Sequence, residues 1–442
     1  MNVKKNKGGK AVLAALMALM VTVLGTLGFL VLKLLGRLQV NPGETPGSYG
    51  SLEDLPEDPA YFETLCDITD ATDLKSFLFQ WWGNGGEDMI RYSRDVVNVL
   101  LIGVDDNGQP GSSRSDTMML ASVNRKKRTI TLLSFLRDSY CYFEADGEGY
   151  YHRLNSAYYY GGPAGVMQAI SRLYKIRVDK YITVDFNSFP KLIDALGGVS
   201  VEITQAEAQY LNRNAQSVTR KLEPGPAVPL NGTEALAYSR IRKLDSDMER
   251  AGRQQKVIES ILRSARGANL VQLYNALDDT LPYVRTNYTR TELLGLIPQA
   301  MNWLGFETVH MGSPVLLGEN SNAIGGTING MSILIVDYPK AAQQVQLALY
   351  GESNIDLRED GHRNAYIEGL FAGAAQRRST AYEASRTSQA NQYEETPGDG
   401  GNNGWMNWFG WGGTEASTQP PEPPAPPEEP VTEDTTYALW PF

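Results

Sequence analysis

The pattern of hydrophobic and polar positions changes period several times along the chain, and those changes divide it. Residues 11–32 form an uninterrupted apolar run, about the ~20 residues that a membrane-spanning helix requires. Lys4, Lys5, Lys7 and Lys10 precede it, so the expected arrangement is a cytoplasmic stub (1–10), a single retained anchor (11–32) and an extracytoplasmic remainder. A cleaved signal peptide fits less well, because the run is long and no small-residue cleavage site directly follows it. Residues 33–90 read as linker and partly helical segment. Gln39 to about Gly50 is rich in Pro, Gly, Ser and Glu, and 51–82 ends on the apolar group Phe77, Leu78, Phe79, Trp81 and Trp82, which could face either the main domain or the membrane surface.

From Val96 the period shortens. Apolar runs at 96–104, 117–123 and 129–136 predict three strands, and the turn beginning Asn124-Arg125-Lys126-Lys127 makes the second and third antiparallel neighbours. If the first pair is also antiparallel, one sheet edge collects Asp105, Asp106, Arg114, Asp116, Arg137 and Asp138. Helical spacing follows at 162–174, with Pro163 near its first turn, and at 189–196, where Gly197-Gly198 stops it. Strands are expected at 181–186 and 199–203, and helices at 233–238, over the 250s, and at 270–281, 290–304 and 339–350. This alternation predicts a mixed α/β sheet covered by helices, one domain over 91–352. Residues 353–442 are expected to be a low-complexity, disordered tail: from Asn391 onward there is no Lys or Arg, and Trp405, Trp408 and Trp411 stand ahead of a Pro-Glu run.

The 442 residues are 42% hydrophobic, enough for one large core or two ordinary ones. Formal charge is −11, and the first 37 residues hold six basic and no acidic side chains, so removing them leaves −17 on the rest. Nucleic acid is a poor partner for such a body. Two cysteines, Cys66 and Cys141, permit one disulfide without demanding it. Three histidines and no paired-cysteine motif argue against a zinc site or a Ser-His-Asp triad.

Against that acidic background the arginines between Tyr238 and Leu262 require explanation. Arg240 and Arg242 are two apart, so in extended chain both leave the same side of the backbone. Arg250, Arg253 and Gln254 share a helix face that continues into Val257, Ile258 and Ile261, which points the polar trio inward at the helix start. Either an anion, phosphate being the obvious one, sits among them at the helix N-terminus, or they form a solvated basic face paired with Asp245, Asp247 and Glu249. Asp105 and Asp116 at the strand edge suit an oxygen-seeking divalent cation such as Mg²⁺; alternatively they only neutralise Arg114 and Arg137. Two basic clusters distant in sequence both call for a highly charged anion, and a diphosphate satisfies both. Ser188 and Lys191 make a chance Ser-x-x-Lys with Pro190 inside it, and no phosphate-binding Gly-x-x-x-x-Gly-Lys loop occurs.

Six segments in order, Asn98-Val-Leu-Leu-Ile-Gly-Val-Asp105, Arg114-Ser-Asp-Thr-Met-Met-Leu120, Phe135-Leu-Arg-Asp138, Leu154-Asn-Ser-Ala-Tyr158 with Gly161-Gly-Pro163, Asp194-Ala-Leu-Gly-Gly-Val199, and Tyr238 to Gln255, resemble the LytR-CpsA-Psr family. The resemblance is strong over about 95–265 and weak over 266–350. It implies a three-layer α/β/α fold with a central mixed sheet behind one N-terminal transmembrane helix, in a single-pass protein of the cell membrane. It also implies a phosphotransferase that moves a glycan with one phosphate from a polyprenyl-pyrophosphate carrier onto a peptidoglycan hydroxyl, the glycan being teichoic acid, capsule or another wall polymer. Carried over by motif, Asp105 and Asp116 become ligands of Mg²⁺, with Mn²⁺ as its substitute. Arg114, Asp116, Arg137, Arg240 and Arg242 become the catalytic set, and Arg153, Arg250, Arg253 and Gln254 join the arginines around the pyrophosphate. Arg153 stands where the family usually has Lys, and Leu136 where it has Pro. A dry lipid groove is expected against the helices at 163–174 and 189–196, from their apolar faces alone. Asp138 and Asp247 are the candidate proton acceptors. A non-catalytic lipid-pyrophosphate receptor regulating wall assembly, and a pyrophosphate hydrolase, would use the same pocket.

Overall fold

The computed structural model describes residues 30–42, 64–83, 88–104, 114–186, 188–241, 244, 247–315, 321–358 and 364–394. The expected span at 11–32 lies outside them apart from its last three residues. Among the described residues no helix is long and apolar enough to cross a membrane.

Strand β1 (Gln39–Val40) is followed by β2 (Thr64–Ile68), helix α1 (Thr72–Gly83) and the run β3 (Val96–Val104), β4 (Ser115–Asn124), β5 (Thr129–Ser134). The hairpin β6 (Tyr140–Ala145) and β7 (Glu148–Arg153) leads into α2 (Ser156–Tyr174). Then come β8 (Lys180–Asp185), α3 (Phe189–Ala195), β9 (Val199–Ile203), α4 (Gln205–Asn214), β10 (Gly225–Leu230), α5 (Gly232–Ser239) and α6 (Asp247–Gly267). The remainder is α7 (Leu270–Thr280), β11 (Val284–Thr286), α8 (Arg290–Trp303), β12 (Glu307–Gly312), β13 (Ala323–Ile328), β14 (Met331–Val336), α9 (Tyr338–Tyr350) and α10 (Ala365–Glu394).

A seven-stranded mixed sheet with the order β1-β11-β8-β3-β4-β5-β12 forms the middle layer. Strands β3, β4 and β5 run antiparallel in turn, and β8 lies parallel to β3. Because β3 and β4 pair Val104 with Ser115, the end of the first and the start of the second meet as the sequence pattern requires. Period-2 alternation then separates the faces. Leu100, Ile102 and Val104 join Met118, Leu120 and Leu133 in the core beneath α2 and α9, where Ile170 and Val345 are fully buried. On the opposite face Met119, Val123, Ile130 and Leu132 pack with Phe306, Ile258 and Leu262. A third core ties α3, α4, α5 and α6 to β9 and β10 through Ile193, Val201, Leu211 and Val257.

Within α2 the helix breaks at Gly162, whose φ of +60 a side chain would resist, and resumes at Pro163, the first-turn position that proline favours. Strand β9 was expected in the main sheet. It pairs instead with β10 as a separate ribbon, since the apolar faces of α3 and α6 close over it.

Segments assigned to the flanks belong partly to the body. Helix α1 buries Leu74, Phe77, Leu78, Trp81 and Trp82. At ~1.5–3 kcal/mol for each fully buried apolar side chain, that burial fixes α1 on the domain rather than on a membrane surface. Strand β2 pairs with β13, and β1, expected as linker, pairs with β11. At the other end, where a disordered tail was expected to start at 353, Ile355, Ile367 and Ala374 are core residues, and 365–394 is helical. The polar composition beyond Asn391 drew that boundary too early. Contacts divide the chain after Tyr382, and the site lies within the first unit. Cys66 and Cys141 are both free thiols.

Candidate functional site

The site sits at the edge where β3 ends and β4 begins. There Arg137, on the corner after β5, donates from Nη1 to Asp116 Oδ1 at 3.3 Å. Its Nε is 3.6 Å from Asp138 Oδ2, and Arg153 Nε, at the end of β7, is 3.6 Å from Asp138 Oδ1. Two buried arginines therefore brace one buried carboxylate, and Arg153 also donates to the Ser332 carbonyl at 2.7 Å. Asp138, one of the expected proton acceptors, is thus held between two guanidiniums. Asp116 is the more open acid, at 21% side-chain exposure.

Arg114 precedes β4 and is partly buried. It stands close enough to His152 and Tyr160 to act on both electrostatically. Burial first, then Arg114 and Arg153, push the His152 imidazole down to about 4. Its Nδ1 accepts the Arg153 backbone N–H at 2.9 Å and lies 2.7 Å from Ser156 Oγ, so the ring is neutral with its proton on Nε2. The role of His152 is not visible along the linear sequence, because it comes from the pairing of β6 with β7, which puts Cys141 opposite it.

Under the sheet, beside this edge, is an apolar cavity of about 270 Å³. Leu101, Met119 and Val184 form its ceiling, and Phe189, Leu192, Leu236 and Ile261 its walls. Polar atoms enter from Arg240, Gln254 and Ser239. The expected wall at 189–196 is realised in α3. The other expected wall, 163–174, is not: α2 lies across the sheet, its apolar face spent on the main core. Helices α5 and α6 take its place. Gly103 and Thr117 line the cavity too, and Thr117 is the chain neighbour of Asp116 at the start of β4, so the cavity reaches the end of the sheet that carries the acidic edge.

The 240–255 stretch divides by role. Arg240 ends α5, is exposed, and holds its guanidinium 5.0 Å from the Phe186 ring centre, a cation–π contact that fixes it at the cavity mouth. Gln254 joins it there. Arg250 is buried, and Arg253 turns to the Glu207 carboxylate at 3.4 Å and donates to the Ile241 carbonyl at 3.0 Å. Glu207 also closes the capping box of α4 with Thr204, a Thr-x-x-Glu spacing visible in the sequence. Gln255 anchors α6 to Ser134 Oγ at 2.9 Å and the Gly312 carbonyl at 2.8 Å. Asp105, which follows the last residue of β3, and Arg242 lie outside the described residues, as does the Asp247 side chain. Among the described residues no group of three or more His, Cys, Asp or Glu is disposed to hold a metal.

An apolar cavity with Arg240 and Gln254 in its lining lies against the mixed sheet, at the end where Arg137 holds Asp116. The LytR_cpsA_psr family model matches residues 81–347, and the chain belongs to that family. It is 34% identical over 198 residues to the polyisoprenyl-teichoic acid–peptidoglycan teichoic acid transferase TagU of Halalkalibacterium halodurans, a match covering 44% of this chain and 62% of that protein. With the transferase TagV of Bacillus subtilis it shares 28% over 243 residues, 53% of this chain and 61% of the relative. The chain thus spans about six-tenths of these relatives' length. The crystal structure of protein gbs0355 from Streptococcus agalactiae shares the fold, with a TM-score of 0.50 and 24% identity over 59% of this chain and 91% of that one.

Proposed function

We propose that the chain is a membrane-anchored glycopolymer transferase, moving a glycan with one phosphate from a polyprenyl-pyrophosphate carrier onto a peptidoglycan hydroxyl. The observation that carries the reading is an apolar cavity with Arg240 and Gln254 in its lining, at the same end of the sheet as the Arg137–Asp116 pair. The printed names of TagU and TagV, which describe that transfer, support it. The polyprenyl chain lies in the cavity between the sheet and α3, α5 and α6, and its pyrophosphate meets Arg240 at the mouth. The acceptor oxygen bonds to the glycan-side phosphorus, the bridging P–O bond breaks, polyprenyl phosphate leaves, and the hydroxyl proton passes to solvent.

Phosphoryl transfer leaves little covalent work to the protein, so positioning and charge neutralisation supply the catalysis. Arg114 and Arg240 neutralise the phosphates directly, and Arg137 fixes the Asp116 carboxylate. Asp116 is a hard oxygen donor open to the site and fits a divalent cation; with Asp105 it would hold Mg²⁺, or Mn²⁺ in its place, which supplies further charge neutralisation on the phosphates. The apolar run at 11–32 is the anchor, with the N-terminus in the cytoplasm. Mass spectrometry of lipids copurifying with the full-length protein is expected to find a polyprenyl-pyrophosphate glycan, lost in Ile261→Trp. Recovery of ordinary phospholipids alone would contradict the assignment of the cavity.

A further inference from the structure

For a chain of net charge −11, the end of the sheet opposite the site is unusually basic. The turn Arg125-Lys126-Lys127-Arg128 between β4 and β5 is exposed throughout. Arg91 and Arg94 before β3, and Arg177 before β8, reach the same end, because Val96 pairs with Asn124 and Val99 with Lys180. A polar cleft of about 510 Å³ opens between them, lined in part by Arg91, Tyr92, Lys126, Lys127 and Glu352. Part of the charge is answered within the protein. Arg91 pairs with Glu352, Arg177 with Asp179 at 2.7 Å, and Arg128 lies 5.2 Å from the Phe306 ring centre. The side chains of Arg94, Lys126 and Lys127 find no ion pair or hydrogen bond among the described residues. Tyr92, 61% exposed, flanks the cleft with Arg177 4.8 Å from its ring centre.

We propose that this end is a second, non-catalytic docking surface for a linear polyanion with a phosphodiester in each repeat, the chemistry of an anionic wall polymer. Membrane phospholipids offer the same phosphate chemistry, and the topology selects between the two sources. Strand β3 alone is nine residues, roughly 30 Å at ~3.3 Å per residue, so patch and site face opposite ways. Residues preceding β1 dock at the site end: Gln39 pairs with Arg285, Arg285 with Thr183 near the end of β8, and Arg37 bridges Asp278 at 2.9 Å. On the proposed function, the anchor at 11–32 and a lipid donor beside Arg240 both put the bilayer at that end, leaving the basic end toward the wall. This orientation rests on the proposed function; the binding surface does not.

The test titrates fluorescent poly(glycerol phosphate) against the full-length protein in neutral micelles at several salt concentrations. The triple variant Arg94→Gln, Lys126→Gln, Lys127→Gln is expected to bind roughly tenfold more weakly with a shallower salt dependence, since each lost contact releases fewer counterions. Its unfolding midpoint and its transfer activity stay at wild-type values. Wild-type polymer affinity in the triple variant, loss of polymer binding in Arg240→Ala instead, or capture of phosphatidylglycerol vesicles but not polymer at this end would each overturn the proposal. Polymer binding is read without turnover, so absence of transfer in the wild type would defeat the functional reading alone.

Discussion

Arg137 is 2% exposed while Arg240 is exposed, and the contrast sets what their removal does. Arg137→Ala strips a buried partner from Asp116 and Asp138 and leaves Asp138 to Arg153, at a cost of ~3 kcal/mol. Arg240→Ala is a change at an exposed position, and its stability should fall less than that of Arg137→Ala, by no more than about 1 kcal/mol, while transfer is lost. Denaturant unfolding of both variants beside the activity assay separates the two roles; equal destabilisation would contradict it. His152 supplies a pH signature. Its folded value of about 4 lies below the ordinary 6.5, so the unfolded chain binds the proton first and stability falls as pH drops from about 6.5 to 4. Denaturant midpoints across that window should be flatter in His152→Asn than in wild type. The carboxylates and guanidiniums at this edge were legible because three short apolar runs and one tight turn dictate where the strand ends meet. His152 and the pairing of Glu207 with Arg253 were not, since these come from the β6–β7 pairing and from the approach of α4 to α6.

Among the helices, the cavity depends on how closely α3 and α5 approach. A Cβ on Gly232 would stand 2.1 Å from the Pro190 carbonyl oxygen, and the Gly232 N–H donates to Asp194 Oδ1 at 2.7 Å. Gly232→Ala must therefore push the two helix starts apart, at ~1–3 kcal/mol by the usual cost of overpacking. Calorimetry should show the lower midpoint, and an unchanged midpoint would mean the contact relaxes freely. Ile261→Trp acts differently by filling the cavity from α6; it should weaken polyprenyl-pyrophosphate binding at least about tenfold, the cost of ~1.4 kcal/mol, with the fold intact. Helix existence was readable from 3.6-residue spacing, but which face of the sheet each helix covers was not. Both α2 and α3 have apolar stripes, and only the crossover geometry sends α2 away from the cavity.

At the scale of the molecule, the body reaches beyond the segment that sequence composition marks as its own. Ile355, Ile367 and Ala374 close the core near α1 and α9, so a chain ending at Glu352 should unfold at lower temperature than one ending at Tyr382. Equal midpoints would place the boundary where composition alone puts it. What composition could not weigh is that a few apolar residues at helical spacing suffice to dock a segment that is otherwise polar. Under the proposed function this body brings a lipid slot and an acceptor to one charged edge. The most direct measurement supplies full-length protein with Mg²⁺, a polyprenyl-pyrophosphate donor labelled in the glycan-side phosphate, and peptidoglycan. Label is expected covalently on peptidoglycan with wild type and not with Arg114→Ala or Arg240→Ala; label released as soluble phosphate, or retained on a bound and unreacted lipid, would overturn the proposed transfer.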